Sequence, residues 1–370
     1  MSAEQAAATG PAATPVLVIG TGMVGTSVAL ALRARGQVVL LDDTDPGALA
    51  AAVGLGAGRP LDPAGVDRPA LVVVAVPPDA VPEVVAAALR AFPLAVVTDV
   101  ASVKAGPLAR LLTGPAAVER YVGGHPMAGS ERSGPGAARA DLFAGRPWAV
   151  TPHPHSRPSA VSAVHRLVRA CGAVPVTLDA DEHDRAVASV SHLPHTAAAA
   201  LAAVLVDAPD SHLALTGQGL RDVTRVAGGD PVLWTQILRA NAGPVAEGLT
   251  ALRGRVDALL QALLAAPPPD GADPLSVALA AGVTGVARLP GRHGPPESLA
   301  HVSVVVDDAP GQLARLFAAV ETAGVDVADV RLDHRTGQAA GAVQLAVAPA
   351  VAARAVAALR SAGWTAHEEP

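Results

Sequence analysis

Aromatic residues are scarce in this chain, at 2% of 370 positions, and cysteine occurs once, at Cys171. A single cysteine excludes an intrachain disulfide and a cysteine-built metal site, and it suits a reducing compartment. A strong charge imbalance is also missing. The 27 Lys and Arg stand against 33 Asp and Glu, a formal −6, which argues against nucleic-acid and anionic-membrane partners. The opening residues carry Glu4 but no basic n-region and no long apolar run, so they lack the marks of a signal peptide. No stretch of about 18 uninterrupted apolar residues is flanked as a membrane span. Residues 1–14 read as a disordered tail, and the whole as a cytoplasmic protein. His153, His155 and His183 sit in polar, loop-like text without a ligand pattern, so no metal site is expected.

Apolar residues are plentiful, at 51%, enough to build sizeable cores. The length allows about two or three domains at roughly 100–200 residues each. Val16 to Ile19 is a short apolar run ending in Gly20-Thr-Gly22-Met23-Val24-Gly25. A helical pattern follows to Arg35, then a second run, Val38 to Leu41, ending in Asp42-Asp43. Further runs at 70–76, 94–99 and 148–151, separated by helix-compatible text, predict an α/β fold with a Rossmann-type parallel sheet over 15–180. Over 181–266 the spacing turns helical, with breaks expected at Pro194, Gly228-Gly229 and Gly243-Pro244, which predicts an all-helical dimerisation domain. Residues 267–297 read as a Pro/Gly-rich linker, with 275–289 left unassigned between helix, linker and strand. The order βαββαβ over 298–370 predicts a ferredoxin-like α+β unit.

Three patterns carry chemistry. Gly20-x-Gly22-x-x-Gly25 follows a strand and opens a helix, with an acid closing the next strand, the context of a dinucleotide fingerprint. Its glycines permit a tight turn and close approach of a pyrophosphate to the helix N-terminus, while an acid, Asp43 by spacing with Asp42 one residue short, would bond an adenosine ribose and favour NAD over NADP. Asp99-Val-Ala-Ser102-Val-Lys104 lies at the carboxyl end of a strand, where ligands sit in such sheets. Ser102 can donate to a substrate oxygen, and Lys104 reads equally well as a helix-start surface residue. His125, between Gly123-Gly124 and Pro126, is a histidine on a constrained loop and a candidate general base.

Together, Asp99-Val-Ala-Ser-Val-Lys104, Gly124-His-Pro-Met-Ala-Gly-Ser-Glu131, Ala140-Asp-Leu-Phe143, Ser191-His-Leu-Pro-His195 and Arg221-Asp-Val-Thr-Arg225 resemble the prephenate/arogenate dehydrogenase family of tyrosine biosynthesis. That resemblance implies oxidation of a ring alcohol with hydride transfer to NAD and loss of carbon dioxide, on prephenate or on its amino counterpart arogenate. It makes His125 the group that accepts the hydroxyl proton, with Ser102 and His195 as the other catalytic residues. Arg225 would clamp a substrate carboxylate and Asp222, three residues earlier, would orient it. Ser130, Glu131 and His192 complete the substrate set. Gly20, Gly22, Met23, Val24, Gly25, Asp43 and Asp99 are assigned to the cofactor.

The C-terminal Asp307-Asp308-x-Pro310-Gly311 resembles an ACT domain, a module that binds amino acids, which implies tyrosine as a feedback ligand. A homodimer is the expected assembly. Two other classes are disfavoured: a β-hydroxyacid dehydrogenase because 181–266 contains no lysine, and a catalytically dead amino-acid sensor by the intact His125, Ser102 and Arg225.

Overall fold

The computed structural model describes residues 14–62, 67–114, 117–128, 133–266, 271–289, 299–333 and 340–369. The tail expected over 1–14 therefore lies almost wholly outside the described residues, as do Ser130 and Glu131. The chain forms two compact units, divided at Leu252/Arg253.

The first unit is built on a five-stranded parallel sheet: β1 (Val16–Ile19), β2 (Val39–Asp42), β3 (Arg59–Pro60), β4 (Leu71–Val74) and β5 (Val96–Asp99), in the order β3-β2-β1-β4-β5. Successive side chains of a strand face opposite ways, and here both directions are apolar. Val16, Val18, Val39, Leu41 and Val73 enter one core with the helix Met23–Arg33, while Leu17, Leu40, Val72 and Val74 enter another with the helix Val81–Ala91. A strand covered on both faces must be apolar at every position, which is why these segments appear in the sequence as unbroken hydrophobic runs. The chain turns back between β1 and β4, so the carboxyl ends of those two strands flank the crevice where ligands bind in such sheets.

Beyond β5 the order departs from the parallel sheet that the sequence predicts. β6 (Gly123–Pro126), β7 (Pro147–Thr151) and β8 (Val174–Thr177) form a separate sheet in which β6 runs antiparallel to β7 and β7 parallel to β8. No crossover helix lies between β6 and β7 among the described residues, so the chain returns alongside itself. A single bridge, Val97 to Tyr121, ties this sheet to β5.

From Ala180 to Asp207 the chain is one continuous helical run, with a π turn at Ala188–His192. Pro194, expected as a break, follows directly on the π turn, at the second position of the segment Leu193–Val204, and the run continues through it. By length and composition this run could cross a membrane, contrary to the sequence reading. It also carries four buried polar side chains, His183, Asp184, His192 and His195, whose partners are described below. Gln218–Thr224, Pro231–Ala240 and Ala242–Leu264 follow. Val190, Val204, Val206 and Val232 on these helices, and Leu215 in a turn between them, remain exposed.

In the second unit, Pro274–Ala287 is a helix, capped by Asp273, inside the stretch expected as a linker. β9 (Ala300–Asp307), β10 (Val327–Asp333), β11 (Ala340–Val347) and β12 (Thr365–Glu368) form an antiparallel sheet in the order β10-β11-β9-β12. With the helices Gln312–Thr322 and Pro349–Ser361 this is the expected βαββαβ unit, and Val302, Val304, Leu316, Leu345 and Leu359 fill its core.

Candidate active site

Each glycine of the Gly20-x-Gly22-x-x-Gly25 turn has its own reason to lack a side chain. Gly20 sits at φ 97°, and a Cβ there would lie 2.3 Å from the carbonyl oxygen of Ala75. At Gly25 a Cβ would meet the carbonyl of Gly20 at 2.0 Å, so this glycine lets the helix pack against the turn. Gly22 has open space where its Cβ would be and lines a cavity of about 780 Å³ together with Met23 and Val24. Gly22 is also the N-cap of the helix Met23–Arg33 and gives it no side-chain cap. The first N–H groups of that helix are thereby left for a ligand anion. Asp43, just past β2, accepts from the backbone N–H and hydroxyl of Thr21, which fixes the acid against the turn. These bonds, with that from the Asp45 N–H, hold its pKa below the usual carboxylate range, although burial opposes them.

The strand bearing His125 rests on the only lysine in the chain. Lys104 is fully buried: its ammonium pairs with Asp99 and donates to the carbonyl of Gly124 at 2.7 Å. The hydroxyl of Tyr121 donates to the second oxygen of Asp99 at 2.6 Å. Burial pushes Lys104 below the usual lysine pKa, with Asp99 and Asp184 opposing, and pushes the Tyr121 phenol well up. A Cβ on Gly124 would come within 2.7 Å of the Asp99 carbonyl, and one on Gly123 within 2.4 Å of the Thr151 hydroxyl. The glycines before His125 therefore allow β6 to lie directly on this buried pair. Both the surface reading of Lys104 and the cofactor assignment of Asp99 are corrected: each spends its charge on the other, inside the protein.

His125 lines the cavity, as do Ser102, His192 and Arg146. Its Nδ1 lies 2.9 Å from Nε2 of His183, whose Nδ1 lies 2.8 Å from Oδ1 of Asp184. Asp184 also accepts from the backbone N–H of Lys104 at 2.8 Å and of Ala105 at 2.9 Å. Burial pushes the His125 imidazole well below its ordinary pKa, and His183, Lys104 and His192 add to the effect. A neutral imidazole beside the cavity is a proton acceptor. His192 is lowered to about 4, mainly by burial, and its Nδ1 lies 3.1 Å from the Asn241 side-chain amide.

The two histidines of Ser191-His-Leu-Pro-His195 are placed differently with respect to the cavity. His192 lines the cavity, whereas His195 lies flat against Trp234, with ring centroids 3.5 Å apart, and is absent from the cavity wall. They stand three positions apart on the helical run, and both meet Trp234, which His192 approaches edge-on at 6.1 Å between ring centroids. Burial lowers His195 as well, against a backbone hydrogen bond with Val226. Arg225 and Asp222 are exposed and do not line the cavity; the recorded partner of Asp222 is Gln218, at 2.8 Å, rather than Arg225. The i,i+3 spacing places Asp222 and Arg225 on one face, but Gln218, one turn back, takes the carboxylate. Sequence reading missed His183, Asp184, Trp234 and Arg146. His183-Asp184 follows an N-cap acid, Asp179, whose carboxylate accepts from the Glu182 N–H. That cap was a legible sign of a helix in text taken for a loop.

The sequence profile of the prephenate dehydrogenase nucleotide-binding domain matches residues 28–177, and that of the prephenate dehydrogenase dimerization domain matches 179–266. NovF of Streptomyces niveus, described as a probable prephenate dehydrogenase, is 40% identical over 95% of this chain and 99% of its own length. The chain belongs to the prephenate dehydrogenase family. Among solved structures, the prephenate dehydrogenase of A. aeolicus, determined with hydroxyphenyl propionate and NAD+, matches at 27% identity and a TM-score of 0.65, over 74% of this chain and 96% of that one. Synechocystis arogenate dehydrogenase matches at 28% identity and a TM-score of 0.56, over 67% and 91%. Membership of the prephenate dehydrogenase family agrees with a cavity that joins the glycine-rich turn to the half-buried His125.

Proposed function

We propose that this chain is an NAD-dependent prephenate dehydrogenase, converting prephenate to 4-hydroxyphenylpyruvate. The observation that carries this reading is the placement of His125, a lowered-pKa imidazole, and Ser102 in one cavity with Gly22 of the glycine-rich turn. His125 accepts the proton of the ring hydroxyl, and Ser102 donates to a polar atom of the substrate or holds that hydroxyl in line. NAD, when bound, supplies the hydride acceptor; Gly20, Gly22, Met23, Val24 and Gly25 are the residues to hold its phosphates, and Asp43 its ribose. As the ring carbon gives up hydride and its hydroxyl oxygen the proton, the bond to the carboxylate on the opposite ring carbon breaks, carbon dioxide leaves, the electron pair of that bond completes the aromatic ring, and His125 returns the proton to the phenolate oxygen. The reaction is redox-neutral in total, two electrons passing from the ring to the nicotinamide.

A substrate carboxylate calls for a cation. Arg146 lines the cavity, and Arg225, the family-matched candidate, is exposed outside it within one chain. The similarity to an enzyme named as an arogenate dehydrogenase supports a second reading, the same chemistry on arogenate. Comparison of kcat/KM for the two substrates decides between them: a preference for prephenate is expected, and a hundredfold preference for arogenate overturns it. We further propose a homodimer through the helical domain, whose exposed Val204, Val206 and Leu215 need cover, and a cytoplasmic location, in keeping with the free, buried Cys171. Feedback by tyrosine is proposed at the C-terminal unit. Asp307, Asp308, Gln312 and Leu313 line a cavity of about 110 Å³ there, beside Gly311 at φ 86°. Calorimetry showing no tyrosine binding, or equal inhibition after removal of 298–370, rejects that part.

A further inference from the structure

The chain of contacts from His125 to Asp184 has a directional consequence. Asp184 sits on the helix Ala180–Val187, buried, and its Oδ1 and Oδ2 accept from the backbone N–H groups of Lys104 and Ala105. A carboxylate so placed is an acceptor only, so the 2.8 Å contact with His183 requires the proton on His183 Nδ1. Neutral His183 then has its lone pair at Nε2. The 2.9 Å contact between that atom and His125 Nδ1 in turn requires the proton on His125 Nδ1. The nitrogen left with a lone pair on His125 is Nε2, and His125 is the member of the trio that lines the cavity.

We infer that His183 and Asp184 are positioning residues that hold His125 in the Nδ1–H form, so that Nε2 is the atom that accepts the substrate proton. The inference rests on the proposed reaction for its catalytic meaning, but not for the tautomer itself. Neither residue lines the cavity, and His183 is 1% exposed. The charged and titratable groups facing His125 come from three elements: His183 and Asp184 from Ala180–Val187, Lys104 from the turn before Ala105–Leu112, and His192 from the π turn. Lys104 donates to Asp99 and to the Gly124 carbonyl, and His192 Nδ1 accepts from the Asn241 side-chain amide. That leaves His183 as the recorded partner of His125 Nδ1. When Nε2 takes the hydroxyl proton, the imidazolium keeps its Nδ1–H on His183, and Asp184 at the far end opposes the new positive charge. An acid, a histidine and a reacting group held in series set tautomer and orientation in the same manner in hydrolytic triads, where losing the orienting acid costs about 10⁴ in kcat.

The test reads the tautomer directly. Long-range ¹H–¹⁵N correlation spectra of the ¹⁵N-histidine-labelled enzyme, with His125 assigned by comparison with His125→Asn, are expected to show a protonated, pyrrole-type Nδ1 and an unprotonated, pyridine-type Nε2. A protonated Nε2 in the wild type overturns the inference whether or not the enzyme turns over prephenate, so its failure is distinct from failure of the proposed function. Two variants extend the test. His183→Leu removes the acceptor and is expected to lose about 10²–10³-fold in kcat, with NAD affinity unchanged, and to move the His125 proton to Nε2. His183→Gln keeps an acceptor oxygen and is expected to stay within about tenfold of wild type with the Nδ1–H form retained. Wild-type turnover in His183→Leu, or equal loss in both variants with an unchanged tautomer, contradicts the assignment.

Discussion

Lys104 and Asp99 form an ion pair with side chains 1% and 0% exposed, directly beneath the strand that carries His125. Two charges taken out of water owe their place to one another, and removing either leaves the other uncompensated. Here the pair also donates to the Gly124 carbonyl and accepts from Tyr121, so it joins β5, β6 and the turn between Ser102 and Ala105. Lys104→Met is therefore expected to lower unfolding free energy by roughly 3–5 kcal/mol, measured by urea denaturation. Lys104→Arg is not a rescue, because a planar guanidinium cannot occupy the compact site. A loss below about 1 kcal/mol in Lys104→Met would show that the pair does not hold β6.

The substrate carboxylate separates two arginines. If the cavity of one chain is the whole site, Arg146→Ala raises the KM for prephenate at least tenfold and Arg225→Ala leaves it within about twofold; one lost charge-assisted hydrogen bond is worth about 1.5–3 kcal/mol. The reverse ranking in steady-state kinetics would mean that Arg225 reaches the substrate only in the assembled dimer.

Acid should destabilise this fold. Burial lowers His192 to about 4 in the folded chain against a usual value of 6.5, and pushes His125 well below the same starting point. Between about pH 6.5 and 4 the unfolded imidazoles bind protons that the folded ones refuse, so stability falls as pH drops through that window. The stability is fully present above it. His192 alone accounts for roughly 3 kcal/mol at most. Urea midpoints at pH 7.5 and pH 4.5 check this. The difference should shrink in His192→Gln, and a midpoint unchanged between the two pH values would contradict the burial of neutral imidazoles here.

Much of this was legible in the sequence because the physics was local. The strands β1, β2 and β4 announce themselves as apolar runs, since both faces are covered, and the Gly20-x-Gly22-x-x-Gly25 turn by its spacing. The βαββαβ order of the last unit followed from its periods. What escaped was decided by distant contacts. Asp99 reads as a ligand at a strand end, and only tertiary packing brings Lys104 and Tyr121 onto it. His183 stands 58 residues from His125, and its polar neighbours Asp181, Glu182 and Arg185 disguise a helix as a loop. The antiparallel turn of β6 goes with a connection in which no crossover helix lies among the described residues, and strand patterns do not report that.

The central claim, that His125 is the base of a prephenate dehydrogenase, is tested most directly by turnover of prephenate with NAD in wild type and His125→Asn. The account predicts NADH formation by the wild type and a kcat lower by roughly 10²–10⁴-fold in the variant, with NAD affinity unchanged. Near-normal turnover in His125→Asn, or none in the wild type, would contradict it.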